Sequence, residues 1–479
     1  MTDPAQLTEV RPFYAGSWHD AFAEEIVLDK FTGEPVTSVA CSDKEQVSDA
    51  VGSVVRGQQG ISWGPVDRFR ALSRASELLL EQADDVVATI IADSGFTVAD
   101  ATREVERAAQ TLLISGEEAK RLVGEMVPLE GAPGVRNRIG YTMFRPVGVV
   151  CAITPFNSPL NTLLHKVAPA LAAGNSVVVK PALQTPRTAD RALRLLLEAG
   201  IPDDLLAFVY GPGPAVGQYL LDDPRPAFYA FTGSTEVGRL VQRGAGLRRA
   251  QLEMGSLSST IICADANVEA AAAKVAAAAF RKAGQVCTSV QRLYVEREVV
   301  PQLTDDLLTI VRGWKAGNPA LPDTNVGPVI SPGEAARISN WVDDAIAGGA
   351  VVAVGGSRDG NVIEPTVLTE ANRNMLIMSR EIFGPVVVLC TYNDLDAAIA
   401  EINDTPYGLA AGIFTRDINR ALSAADRLHM GSVHINETSS SRVDLMPYTG
   451  AKLSGLGREG PRYAMREMSE ERLVTLGPC

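Results

Sequence analysis

The sequence predicts an α/β protein built on doubly wound parallel sheets. Three observations carry that class. From about residue 145, short β-branched apolar runs alternate with longer helical stretches. Gly and Pro punctuate the junctions. The 479 residues, 46% hydrophobic and 21% charged, have an ordinary globular composition. At roughly 150 residues per domain the chain holds two or three domains and can bury a large core without disulfides.

The elements follow in order. GVVCAI (148–153) reads as a buried strand, residues 159–173 as a helix, and SVVVK (176–180) as a second strand. TPRTADRALRLLLEAG (185–200) is a second helix, stopped by Gly200 and Pro202. LLAFVYG, AFYAFTG and STIICAD continue the series. The rhythm resumes with a helix over 267–283, the strand QRLYVE and a helix over 298–313. PVVVLCTY, AAGIFT and GSVHIN are later strands. Two α/β domains result, with functional residues expected in the loops after the strands. Segment 125–146 is Gly/Pro-rich, then strand-like, and interrupts the first domain. The tail 452–479 reads as lacking a helix–strand unit of its own. Both look like an arm toward another subunit.

Charge and cysteine usage exclude several classes. Lys plus Arg total 44 and Asp plus Glu 57, a net charge of −13. That argues against a general affinity for nucleic acid or an anionic membrane. The six cysteines and four histidines are scattered, with no CxxC pair and no zinc-ligand spacing, so no metal is expected. The acidic N-terminus does not read as a signal peptide, and no apolar run approaches the ~18 residues of a membrane span. A cytoplasmic location is expected.

Several loops carry chemistry. The GxGxxG string Gly455–Gly460 reads as a surface turn, because no strand precedes it and too little chain follows. FTGSTEVG (231–238) follows a strand and opens a helix. There Gly233 allows a tight turn and Ser234 can cap the helix, leaving N–H groups to face a phosphate; a plain capped turn explains the motif equally well. Cys41, Cys151, Cys263 and Cys390 sit in or beside apolar runs and read as inert core thiols. Cys287 differs: Gln285, Thr288 and Ser289 surround it, which suits a thiolate exposed to a cleft. Glu253 ends a short apolar run, and Asn157 follows the GVVCAI strand. Alone, these would be a surface carboxylate and a turn or cap residue. No GxSxG elbow supports a serine hydrolase.

In chain order the motifs TPFN, VVVKPA, FTGSTEVG, LEMGS, GQVCTS, EIFGPV, NDTPYGLAAGIFTRD and PYTGAKLSGLGREG resemble the NAD(P)-dependent aldehyde dehydrogenase superfamily. The 34-residue interval from Glu253 to Cys287 matches the family spacing. The resemblance implies a Rossmann-type cofactor domain (1–124 and 147–255) and an α/β catalytic domain (256–451). It also implies an oligomerisation arm and tail (125–146 and 452–479), and a homodimer or homotetramer. Cys287 would be the nucleophile, Asn157 and the Cys287 N–H the oxyanion donors, and Glu253 the base that hydrolyses the thioester. Lys180 resembles the adenosine-ribose contact, and Phe156 and Ser234 the pyrophosphate contacts. Glu381 resembles the nicotinamide-ribose contact with Phe383 beside it; Thr154 and Gly233 complete the cofactor set.

Two departures matter. The position where NAD-preferring members carry a ribose-binding Glu is Leu183, so NADP is not excluded, while NAD is favoured because no extra basic residue stands nearby. At positions matching the substrate tunnel stand Arg107, Ser158, His165, Arg281 and Arg442, beside Thr288, and Arg107 and Arg442 are the foremost of these because the resemblance puts both where anionic-substrate members carry charge. Arginine forks suit carboxylate or phosphonate oxygens. Surface ion pairs are the competing reading, at even weight for Arg281 and stronger for Arg103, one turn from Arg107. A small anionic aldehyde, a semialdehyde or phosphono-aldehyde, is therefore expected as substrate. A CoA-acylating enzyme of the same fold is disfavoured by Glu253, and a silent scaffold by the intact Cys287, Glu253 and Asn157.

Overall fold

The computed structural model describes residues 7–21, 23–60 and 62–477, so Cys479 lies outside the described residues. Two large sheets dominate. The first has eight strands, running in space from Gly455–Leu456 through Arg249–Glu253, Pro226–Thr232, Val149–Ile153, Ser176–Lys180 and Leu206–Phe208 to Phe13–Tyr14 and Ser17–Trp18. Its five central strands are parallel. The second has seven, with the parallel strands Thr366–Thr369, Val386–Tyr392, Arg292–Glu296, Ser259–Ile262, Ala410–Phe414 and Ser432–Ile435 at its heart.

Both faces of each sheet are covered, as parallel strands require. On one face of the first sheet, Pro65–Glu81, Val98–Ala119, Asn161–Ala172 and Pro186–Glu198 share a core with Val150, Val177 and Phe228. On the other, Lys44–Gly60 and Thr235–Ala245 pack with Cys151, Val178 and Tyr229. Pro186–Glu198 shows why such a segment is helical: Pro stands in its first turn and Ala189, Ala192, Leu193 and Leu196 form one buried stripe. The second sheet repeats the plan around Val268–Phe280 and Val300–Arg312 on one side and Leu395–Asn403 and Ile418–Arg427 on the other.

Three expectations need correction. The tail does carry a helix–strand unit, Pro461–Glu467 and Ser469–Leu476. Seven residues are too few to show a period, and the helix persists because Ala464, Met465 and Met468 bury in the first core. The helix expected over 267–283 stops at Phe280, since Lys282 and Ala283 take positive φ and turn the chain sharply. The glycine string is also no plain surface turn. Gly455–Leu456 is an edge strand against Leu252 and Glu253, and a Cβ on Gly460 would stand 2.3 Å from the Met446 carbonyl.

Segment 125–146 contributes Met126–Val127 and Ile139–Pro146, which with Ser469–Leu476 form a separate three-stranded antiparallel sheet. Ile139, Leu473 and Leu476 are exposed there. Among the described residues no helix is long and apolar enough to cross a membrane, and no acidic, Cys or His cluster could hold a metal ion.

Candidate active site

The site lies where the carboxyl ends of the first sheet meet the amino ends of the second. Register brings Lys180 beside Ile153, Ile153 beside Phe231, and Thr232 beside Glu253, so one row of strand ends delivers four site segments. The rule of loops after strands holds for Thr154–Asn157, Lys180, Gly233, Ser234 and Glu253. It fails for Cys287 and Glu381, which precede Arg292–Glu296 and Val386–Tyr392.

One cavity of about 550 Å³ unites the main candidates. Phe156, Asn157, Gly233, Ser234, Glu253, Cys287, Glu381 and Phe383 all line it. Part of its lining suits a dinucleotide, and Lys180 and Thr154 lie beside that part without lining the cavity. Ser234 caps the eleven-residue helix Thr235–Ala245, its Oγ accepting from the Val237 N–H at 3.4 Å, and the remaining helix-start N–H groups are available to a phosphate. Gly233 is required on steric grounds, because a Cβ would meet the Phe231 ring at 2.6 Å. Lys180 is buried with its Nζ donating to the Pro181 carbonyl at 3.1 Å, and burial lowers it to about 8. Thr154, also buried, leaves its Oγ1 without a partner.

The rest of the lining joins the reactive groups. Glu381 accepts from the Ser256 N–H at 3.1 Å, and burial pushes it up to about 8. Phe156 and Phe383 meet edge-on at 5.9 Å. Asn157 donates its side-chain amide to the Gln285 carbonyl at 2.9 Å. Glu253 faces Cys287; burial, reinforced by the Glu459 carboxylate, pushes it up to about 7. Burial and Glu253 raise the Cys287 thiol well above its ordinary value. The polar neighbours in sequence therefore do not make a standing thiolate: the tertiary surroundings hold the thiol protonated until a base takes the proton.

Behind the sulfur lies a charged cluster only partly foreseen. Arg107 donates from Nε and Nη2 to Asp444 at 3.1 and 2.7 Å, and His165 Nε2 meets the same carboxylate at 2.8 Å. Burial lowers His165, so it stands neutral and donates. Arg442 Nη2 and Lys166 Nζ each lie 2.7 Å from Glu459. Burial opposes ionisation of both carboxyls, but His165 and Arg107 hold Asp444, and Lys166 and Arg442 hold Glu459, well below the usual range.

Arg281 is placed differently. Its Nη2 donates to Ser440 Oγ at 2.6 Å, Ser440 meets Thr288 Oγ1 at 3.2 Å, and no carboxylate pairs with Arg281 among the described residues. Burial and the nearby Arg107 both depress its pKa. Ser158 is half-buried beside Asn157, while Arg103 points to solvent. Sequence reasoning missed Asp444, Tyr448, Glu459, Lys166 and Ser440. Tyr448 and Glu459 lie in the run PYTGAKLSGLGREG, but nothing local marks which cation each carboxylate reaches.

Comparisons place this geometry. A profile of the aldehyde dehydrogenase family matches residues 18–474. The chain is 42% identical over 476 residues to the 3-sulfolactaldehyde dehydrogenase of Priestia aryabhattai, covering 99% of this chain and all of that one. It is 34% identical over 470 residues to a lactaldehyde dehydrogenase of Methanococcus maripaludis, covering 97% and 99%. Among solved structures, the NADP-dependent glyceraldehyde-3-phosphate dehydrogenase of Bacillus halodurans C-125 complexed with NADP superposes at TM-score 0.95, with 31% identity over 98% and 99% of the chains. The NAD+ complex of an aldehyde dehydrogenase from Bacillus cereus gives 0.94, with 29% identity over 100% and 99%.

Proposed function

The chain belongs to the aldehyde dehydrogenase family, and from that premise we propose that it oxidises a short aldehyde bearing a sulfonate, carboxylate or phosphonate to the free acid. Oxidation of an aldehyde with NAD or NADP is the family reaction, and the cavity's residues fit that cofactor. The finer reading rests on one observation. Cys287 and Glu253 line one cavity, and near Cys287 stands the half-buried Arg281, which forms no ion pair among the described residues.

In this reading Glu253 takes the proton of Cys287 and the sulfur bonds to the aldehyde carbon, giving a thiohemiacetal. The Asn157 amide and the Cys287 N–H hold the developing oxyanion. The bound cofactor supplies a hydride acceptor, and a thioester is left on Cys287. Glu253 first gives the proton it took from Cys287 to solvent, then takes one from water as the hydroxyl adds to the thioester, and the C–S bond breaks to release the acid and the Cys287 thiolate. Lys180, Phe156, Thr154, Gly233, Ser234, Glu381 and Phe383 hold and orient the dinucleotide.

The anion is assigned first to Arg281, with Thr288 and Ser440 beside it. Arg107 is assigned second, since its Nη1 has no protein partner among the described residues. Arg442 and His165 are assigned to shaping this wall, because Glu459 and Asp444 already answer them. The relative that acts on 3-sulfolactaldehyde, an anionic aldehyde, supports this choice. The exposed arm strands support a dimer or tetramer. The test is a panel of sulfo-, carboxy-, phosphono- and neutral aldehydes of equal length, each with NAD and NADP. Preference for neutral aldehydes would sink the reading.

A further inference from the structure

Tyr448 stands beside the Cys287 sulfur, in the motif PYTGAKLSGLGREG but with no role assigned to it from the sequence. Its hydroxyl lies 3.0 Å from Cys287 Sγ. The ring is buried and carries the Arg442 guanidinium on its face, 3.9 Å from the centroid. Its backbone is pinned to Glu459, the Tyr448 N–H donating at 3.0 Å and the Glu459 N–H returning at 2.7 Å, while Glu459 also holds Arg442. The phenol is thus fixed through its backbone, its ring face and its oxygen.

We propose that Tyr448 is a catalytic residue whose phenolic O–H donates to the Cys287 sulfur, so that the sulfur keeps its negative charge after its proton has passed to Glu253. The proposal rests on the reading of Cys287 as nucleophile and Glu253 as base. Between a neutral thiol and a phenol either group can donate, and the bond is weak. Once the sulfur is a thiolate only the phenol can donate, and the bond becomes charge-assisted. A cation over the ring face draws electron density from the phenol and strengthens that donor.

The charged and titratable groups facing the sulfur are Glu253 from its strand, Tyr448 and Arg442 from the 436–450 loop, and Arg281 from the turn before it. Glu253 and burial oppose a thiolate; Tyr448 and Arg442 favour one. In the forward step the proton moves from sulfur to the Glu253 carboxylate and Tyr448 keeps its own. When the thioester is hydrolysed and the C–S bond breaks, the electron pair returns to sulfur and the same phenol O–H donates to the thiolate again. Tyr448 therefore serves both the attack and the departure of the sulfur.

The test is the pH profile of Cys287 alkylation by iodoacetamide in the full-length enzyme, followed by peptide mass spectrometry. Y448F removes one oxygen and keeps the ring under Arg442. It should move the profile to higher pH and slow alkylation at pH 7 by about 10- to 100-fold, the loss of one charge-assisted hydrogen bond. Replacing Tyr448 by 3-fluorotyrosine, a more acidic phenol, should move the profile the other way. An unchanged profile in both overturns the proposal, as does a Y448F defect confined to turnover. C287A separates the two readings: aldehyde oxidation surviving in C287A would sink the nucleophile assignment, whereas the alkylation profiles judge Tyr448 alone.

Discussion

Arg442 and Glu459 form a buried ion pair 2.7 Å long, and Lys166 closes on the other oxygen of the same carboxylate at the same distance. One carboxylate therefore neutralises two cations behind the reactive sulfur. Its removal leaves both uncompensated. E459Q should cost about 3–5 kcal/mol in denaturant unfolding, the range for breaking a buried pair from one side. Because the fold holds Glu459 below its ordinary value of about 4.5, its contribution is present above that pH and is lost as pH falls. The acid limb of the stability curve should accordingly be shallower in E459Q than in the parent.

On the anionic substrate proposed above, Arg281 and Arg107 should contribute unequally. R281A should lower kcat/KM for sulfonate or carboxylate aldehydes by about 10- to 150-fold, or 1.5–3 kcal/mol, and leave neutral aldehydes of the same length nearly unchanged. R107A frees Asp444 as well as removing a cation, so both substrate classes should suffer. Equal losses in R281A, measured under the same kcat/KM conditions, would remove it from the substrate wall.

Glu253 links chemistry to pH. It must be ionised to accept a proton, so the hydrolytic step should accelerate as pH rises through about 7. E253Q should slow turnover by about 10²- to 10⁴-fold in steady-state assays. The stability effect has the opposite sense. A carboxyl raised in the folded state favours folding at low pH and loses that contribution between about 4.5 and 7. E253Q should therefore melt at a higher temperature than the parent at pH 8 while matching it near pH 4.

Leu183 tests the cofactor end. It stands half-buried near the first core, where a carboxylate would confront a 2′-phosphate. L183E should depress kcat/KM for NADP by about tenfold, roughly 1–2 kcal/mol of screened repulsion, and spare NAD. An equal fall with both cofactors would mean that the ribose does not lie beside this residue.

The arm sheet leaves Ile139 and Leu473 exposed on neighbouring strands. Light scattering should show a dimer or tetramer, and the double change I139D with L473D should yield monomers with an unaltered helix content. Monomers in the parent protein would refute the arm assignment.

The central strands, the helix capped by Ser234 and the run of motifs from Asn157 to Cys287 were legible in the sequence. Each depends on neighbours within a turn or a strand, where propensity and pattern act. The short helix Pro461–Glu467 was illegible because packing, not propensity, holds it. The arginines show the deeper limit. Their identity could be read, but not which carboxylate, if any, each one meets. Arg107 is answered by Asp444, 337 residues away, and Lys166 by Glu459, 293 residues away, whereas Arg281 meets the hydroxyl and carbonyl of Ser440 and no carboxylate among the described residues. A sequence lists charges; the field at a buried point depends on which of them the fold brings within a few ångströms in a low-dielectric interior. The sequence by itself therefore determined the reaction class and singled out Cys287 among the thiols. Only the tertiary structure decided which arginines a carboxylate answers, and that the Tyr448 hydroxyl stands beside the Cys287 sulfur.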